Sequence, residues 1–116
     1  MEKLTIVIPT RFRLNKLIRC LDSLPAANFI ERIYIVCDGD RDTYEKIKAM
    51  SGDLTRTVYV AEHSGSVFCR NLVTPLVDDG LLYAVDDIAF EPESIEIAFS
   101  RFNQMFPDDD GVVGFR

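Results

Sequence analysis

Residues 4–8 read LTIVI, a continuous run rich in β-branched side chains that Pro9 and Thr10 bring to an end. A strand with one wet face alternates apolar and polar residues, whereas an unbroken run belongs to a strand buried on both faces, as in a parallel sheet. The pattern returns at residues 33–37 (IYIVC) and 81–85 (LLYAV), and a shorter strand is expected at 57–60. Helical spacing lies between these runs. Residues 14–24 put Leu14, Leu17, Ile18, Leu21 and Leu24 on one face before Pro25 stops the helix. Residues 42–50 carry Tyr44, Ile47 and Met50 on one side and close at Ser51-Gly52. A third helix is expected from Ser66, read as its cap, to about residue 78, with Pro75 bending or shortening it. A fourth follows Pro92 and shows Ile95, Phe99, Phe102 and Phe106 on one face. Residues 112–115 are expected to begin a fifth strand. Strands alternating with helices imply an α/β fold, a mostly parallel sheet with flanking helices.

The chain has 116 residues, enough for one domain, and shows neither repeat nor linker. With 47% hydrophobic and 28% charged residues it has globular composition, which excludes disordered and collagen-like classes. A net charge of −6 argues against a protein that tracks nucleic-acid phosphates. Three cysteines without a C-x-x-C pair indicate reduced thiols, and the single His63 excludes multi-histidine metal centres. The first apolar run is too short for a signal peptide or a membrane span, so the expected location is the cytoplasm.

Ligands of open parallel sheets bind at the carboxyl ends of the strands. There the sequence places Thr10 and Arg11, then Asp38-Gly39-Asp40, then residues 63–66 (HSGS), then Asp86-Asp87. Adjacent carboxylates after an apolar strand are costly without a cation, and hard oxygen ligands suit Mg²⁺ or Mn²⁺. Asp86 and Asp87 therefore read either as a metal–diphosphate site or as solvated turn residues. Asp38 either faces the cleft or forms a turn, and Asp40 or Asp42 caps the second helix. Arg70, early in a helix where the dipole disfavours it, needs a partner, which is Asp38, Asp86 or a nucleotide. His63 reads as a loop residue rather than a base. Residues 108–111 (DDDG) precede a strand and read as a solvated turn at the opposite end of the sheet. No dinucleotide fingerprint or Walker loop occurs.

In chain order, IVIPTRFR, IVCDGDRD, SGSVFCRN and LLYAVDDIAFEP resemble the Rossmann-like nucleotide-binding half of a family 2 glycosyltransferase of GT-A fold. The resemblance covers nearly the whole chain. It implies a single nucleotide-sugar-binding domain over residues 1–116, with the acceptor-binding half absent. It implies that Thr10, Asp38, Arg70 and Asp86 contact the nucleotide of a nucleotide-diphosphate sugar, UDP-linked, and that Asp87 is the ligand of Mg²⁺ or Mn²⁺. Cys37, Asp40 and the pair Ile88-Ala89 depart from the family pattern, the last pair standing where further acids are common. The acceptor and the catalytic base are not identified. A non-catalytic binding module and an unrelated receiver- or phosphatase-like domain are the alternative functions, and a homodimer or partner covering the C-terminal strand edge is expected.

Overall fold

A computed structural model describes residues 1–109 and 111–114. It contains β1 (Leu4–Thr10), α1 (Leu14–Asp22), β2 (Ile30–Asp38), α2 (Arg41–Met50), β3 (Thr55–Val60), α3 (Ser66–Val73), β4 (Gly80–Tyr83) and α4 (Ser94–Met105). The strands form one sheet of order β3-β2-β1-β4, and every pairing is parallel. The α/β class and parallel sheet implied by the apolar runs are what the chain adopts.

The two faces of the sheet explain the unbroken runs. Leu4, Ile6 and Ile8 of β1 and Ile35 and Cys37 of β2 point to one side, where Leu17 and Cys20 of α1, Ile47 of α2 and Ile95 of α4 pack on them. Val7 and Val36 point to the other side, against Cys69 and Val73 of α3. Val7, Ile6, Ile8, Ile35 and Val36 are all excluded from solvent, and each full side-chain burial contributes about 1.5–3 kcal/mol. The three thiols are free and buried. Burial pushes the Cys20 thiol up to about 11 and that of Cys37 to about 12, which makes both poor nucleophiles at neutral pH.

Strand order carries the functional geometry. The chain steps outward from β1 to β2 to β3, then crosses back through α3 to lay β4 on the opposite side of β1. The order therefore reverses between β1 and β4, and a crevice opens at such a switch point beyond the carboxyl ends.

Strand β2 begins three residues before its expected start, β4 and α1 each end two residues early, and the larger departures lie in the third helix and the fifth strand. The third helix ends at Val73 and tightens into a 3₁₀ turn, Thr74–Leu76, with Pro75 inside it. Its cap is Gly65 at φ 92°, and Ser66 is the first helical residue. The fifth strand is not formed over residues 111–114, and Phe115 lies outside the described residues. Val112 is almost fully exposed and pairs with no strand among the described residues, so β propensity alone does not order this run. The free sheet edge next to that run is instead β4, which pairs only with β1 among the described residues. Within residues 108–111, Asp109 accepts a hydrogen bond from the Met1 ammonium at the amino end of β1, away from the strand carboxyl ends. Asp110 of that run lies outside the described residues.

Candidate functional site

Thr10 closes β1, and its register with β4 extends past the last formal pair. Val7 lies opposite Tyr83, and the Ala84 amide still donates to the Val7 carbonyl at 3.0 Å. Three residues further along each chain, Thr10 Oγ1 donates to Asp86 Oδ2 at 2.8 Å, both side chains buried. Helix α1 holds the segment after β4 in place. The Cys20 thiol lies 3.6 Å from the Val85 carbonyl, and the Phe90 amide donates to Ser23 Oγ at 2.9 Å. Asp87 follows Asp86 with its side chain about two-fifths exposed (43%).

Asp38 closes β2. Its Oδ1 accepts the Ser64 amide at 2.8 Å, and its Oδ2 accepts the Gly65 amide at 2.9 Å and meets His63 Nδ1 at 2.7 Å. Burial alone would push its carboxyl up, but the two amides and the imidazole outweigh burial and hold it below its usual range. The carboxylate is therefore ionised and accepts only, so His63 Nδ1 is the donor of this bond. The loop of residues 63–65 is bonded to the end of β2 through this one side chain. Gly39 makes the approach feasible. At φ 64° it occupies the left-handed region, and a Cβ there would lie 3.0 Å from the His63 nitrogen.

The loop between β1 and α1 is set by Asp40. Its Oδ1 accepts the Thr43 amide at 3.2 Å and caps α2, while Oδ2 accepts the Phe12 amide at 2.8 Å. Phe12 is itself left-handed, at φ 55°. Arg11 lies over the Phe12 ring at 4.7 Å, and Arg13 reaches across to Asp86 Oδ1 at 3.3 Å and Asp87 Oδ2 at 3.4 Å.

Arg70 is the fifth residue of α3 and lies over the Tyr83 ring at 5.4 Å. Its Nε is buried without a hydrogen-bond partner among the described residues, and the guanidinium makes no ion pair with Asp38 or Asp86. A buried donor left unpaired is costly, and a ligand oxygen would satisfy it.

These side chains meet. One cleft of about 470 Å³ at the carboxyl ends of the strands is lined by Thr10, Asp38, Arg70, Asp86 and Asp87, together with Arg11, Arg13, His63 and Ser66. All five residues that the resemblance assigns to the nucleotide or the metal share it. Arg13 was missed because its carboxylate partners lie more than 70 residues away in sequence, and nothing in its own segment, IVIPTRFR, marks it as their partner. His63, read as a loop residue, also lines the cleft with its ring held by Asp38; a lone histidine after a short strand carries no sequence signal of that bond. A larger, mostly apolar cavity of about 570 Å³ lies between the β4 edge and α4 and shares only Val85 with the cleft among its lining residues.

The donor set fits a divalent cation of a particular kind. Among the described residues no three or more His, Cys, Asp and Glu side chains gather to form an all-protein metal cage. Asp87, accessible and next to Asp86, suits an ion such as Mg²⁺ that takes one or two carboxylates and completes its shell with water and phosphate oxygens.

No family model matches the sequence, and no curated protein matches it. Solved structures do match the fold. The structure of S. aureus TarS residues 1–349 in complex with UDP-GlcNAc superposes with a TM-score of 0.69 at 17% identity, over 88% of this chain and 31% of that one. The complex of the same fragment with UDP gives 0.69 at 19% identity over 88% and 32%. The structure of S. aureus TarS covering more of that protein gives 0.65 at 17% identity over 88% and 20%. The chain thus spans about a third or less of the length of these structures, and what it shares with them is the fold that the four sequence segments resemble.

Proposed function

We propose that this chain binds a nucleotide-diphosphate sugar, UDP-linked, in the cleft at the β1–β4 switch point, as the donor-binding part of a glycosyltransferase. The observation that carries the reading is the convergence of Thr10, Asp38, Arg70, Asp86 and Asp87 on that one cleft. It is supported by a fold shared with a protein solved in complex with UDP-GlcNAc and with UDP.

Each side chain then has a task that its surroundings permit. Thr10 and Asp86, locked together and buried, form a rigid polar floor for the nucleoside. Asp38 orders residues 63–65 and has one acceptor site to spare on Oδ1, so it contacts the base while holding His63 against the cleft. Arg70 supplies its unpaired donor and its charge to a phosphate or the base. Asp87, with Asp86 beside it, would hold Mg²⁺ or Mn²⁺. Such an ion, when bound, neutralises the charge that grows on the departing nucleoside diphosphate. Glycosyl transfer also needs a base within hydrogen-bond reach of the acceptor hydroxyl, and the reading assigns none of this chain's residues to that work or to the acceptor.

Calorimetry with UDP, with and without Mn²⁺, tests the reading. Wild-type protein is expected to bind UDP more tightly with the ion present, and Asp87→Ala to lose that gain while retaining the wild-type melting temperature. Folded wild-type protein that takes up no UDP at millimolar concentration would overturn it.

A further inference from the structure

Arg13 occupies the place where a cation bound to the two aspartates would act. One nitrogen, Nη1, lies 3.3 Å from Asp86 Oδ1 and 3.4 Å from Asp87 Oδ2, so a single positive charge bridges the two carboxylates. Charge-assisted hydrogen bonds of this type are normally about 2.7–2.9 Å long, so both contacts are loose. The two carboxylates differ: Asp86 is buried and fixed by Thr10, whereas Asp87 is open to solvent, and the Arg13 side chain is half-exposed (51%).

The base of Arg13, by contrast, is fixed. Its carbonyl accepts the first α1 hydrogen bond, from the Leu17 amide at 2.8 Å, and the preceding Phe12 amide is tied to Asp40. The other two arginines of the cleft lie over aromatic rings, Arg11 over Phe12 and Arg70 over Tyr83. Arg13 is thus a tethered cation with a loosely held head.

We propose that Arg13 is an exchangeable counter-ion, which neutralises Asp86 and Asp87 until a divalent cation takes its place and then turns its guanidinium to the diphosphate of the ligand. The proposal rests on the donor-binding reading of the cleft. It makes cation and nucleotide cooperative through one side chain. A cation arriving alone must displace Arg13, whereas a cation arriving with a diphosphate gives Arg13 a new anionic partner. Coupling of this kind is reciprocal between the two ligands.

Mn²⁺ affinity in the absence of nucleotide, read from the electron paramagnetic resonance signal of the free ion, isolates the exchange. Arg13→Gln is expected to bind Mn²⁺ about two- to fivefold more tightly than wild type, the range set by half-exposed ion pairs. Arg13→Lys should fall between the two, and Asp87→Ala should abolish the binding. Calorimetry at saturating Mn²⁺ should show Arg13→Gln binding UDP about tenfold more weakly than wild type, as loss of a charge-assisted bond implies, so that the variant gains less from added Mn²⁺ than wild type does. Unchanged or weaker Mn²⁺ binding by Arg13→Gln overturns the proposal, as does absence of Mn²⁺ binding by both proteins. Failure of wild type to bind UDP overturns the donor reading and with it the turn of Arg13 to a diphosphate, whereas the exchange of Arg13 for the cation is judged separately, because the Mn²⁺ comparison is made without nucleotide.

Discussion

Asp38 accepts two backbone amides and an imidazole while its side chain is only 5% exposed. Its pKa is depressed in the fold, so its stabilising contribution is complete above the usual carboxyl value of 3.8 and is lost as the pH falls through the folded-state value. Asp40 and Asp79 are also held low against burial, Asp40 by the Thr43 side chain and then the Phe12 and Thr43 amides, Asp79 by the Lys3 and Glu2 amides. Stability should therefore fall steeply below about pH 4, and urea unfolding across pH 2–6 would display it. Asp38→Ala should cost about 1–3 kcal/mol at neutral pH by leaving the Ser64 and Gly65 amides unpaired, and it should flatten the acid limb. An unchanged limb would mean that the 63–65 loop does not depend on this carboxylate. At this scale the sequence was informative where chemistry and strand ends coincide, as for Thr10, Asp38, Asp86 and Asp87. It was uninformative where a role depends on a partner across the sheet, as for Arg13 and His63.

Two elements share one anchor in Asp40. The carboxylate caps α2 with one oxygen and fixes the β1–α1 loop with the other, so the entry to α2 and the position of Arg11 and Arg13 are coupled. Asp40→Ala should cost about 1–2 kcal/mol for the lost cap. UDP binding should weaken at temperatures where the variant is fully folded, because the Phe12 amide is released. Denaturation paired with calorimetry separates these effects, and a variant that loses stability but binds as wild type would confine Asp40 to capping. Strands β1 and β2 were legible because both of their faces are buried, which leaves an unbroken apolar signature. Residues 112–114 show a similar local run, yet stay outside the sheet, since a strand is made by its neighbours and composition alone supplies none. The third helix was overextended because its last turn, which contains Pro75, keeps helical composition while tightening to 3₁₀.

Across the whole molecule, an acidic chain carries a cleft in which charge is balanced. Three arginines face three aspartates there, while the chain as a whole has a net charge of −6. Attraction for an anionic ligand is therefore local, within the cleft, and is opposed at long range by the rest of the surface. No helix among the described residues is long and apolar enough to cross a membrane.

Because β1 lies between β2 and β4 while β4, among the described residues, has a neighbour on one side only, backbone protons of the sheet should not trade with solvent at one rate. In deuterated buffer the amides of Ile6, Val7 and Ile8 should be among the last to acquire label, and the outward-facing half of β4 among the first. Equal protection of β4 and β1 would reveal that something pairs with that outer strand in solution, and dilution of the sample would then tell a second copy from the chain's own residues.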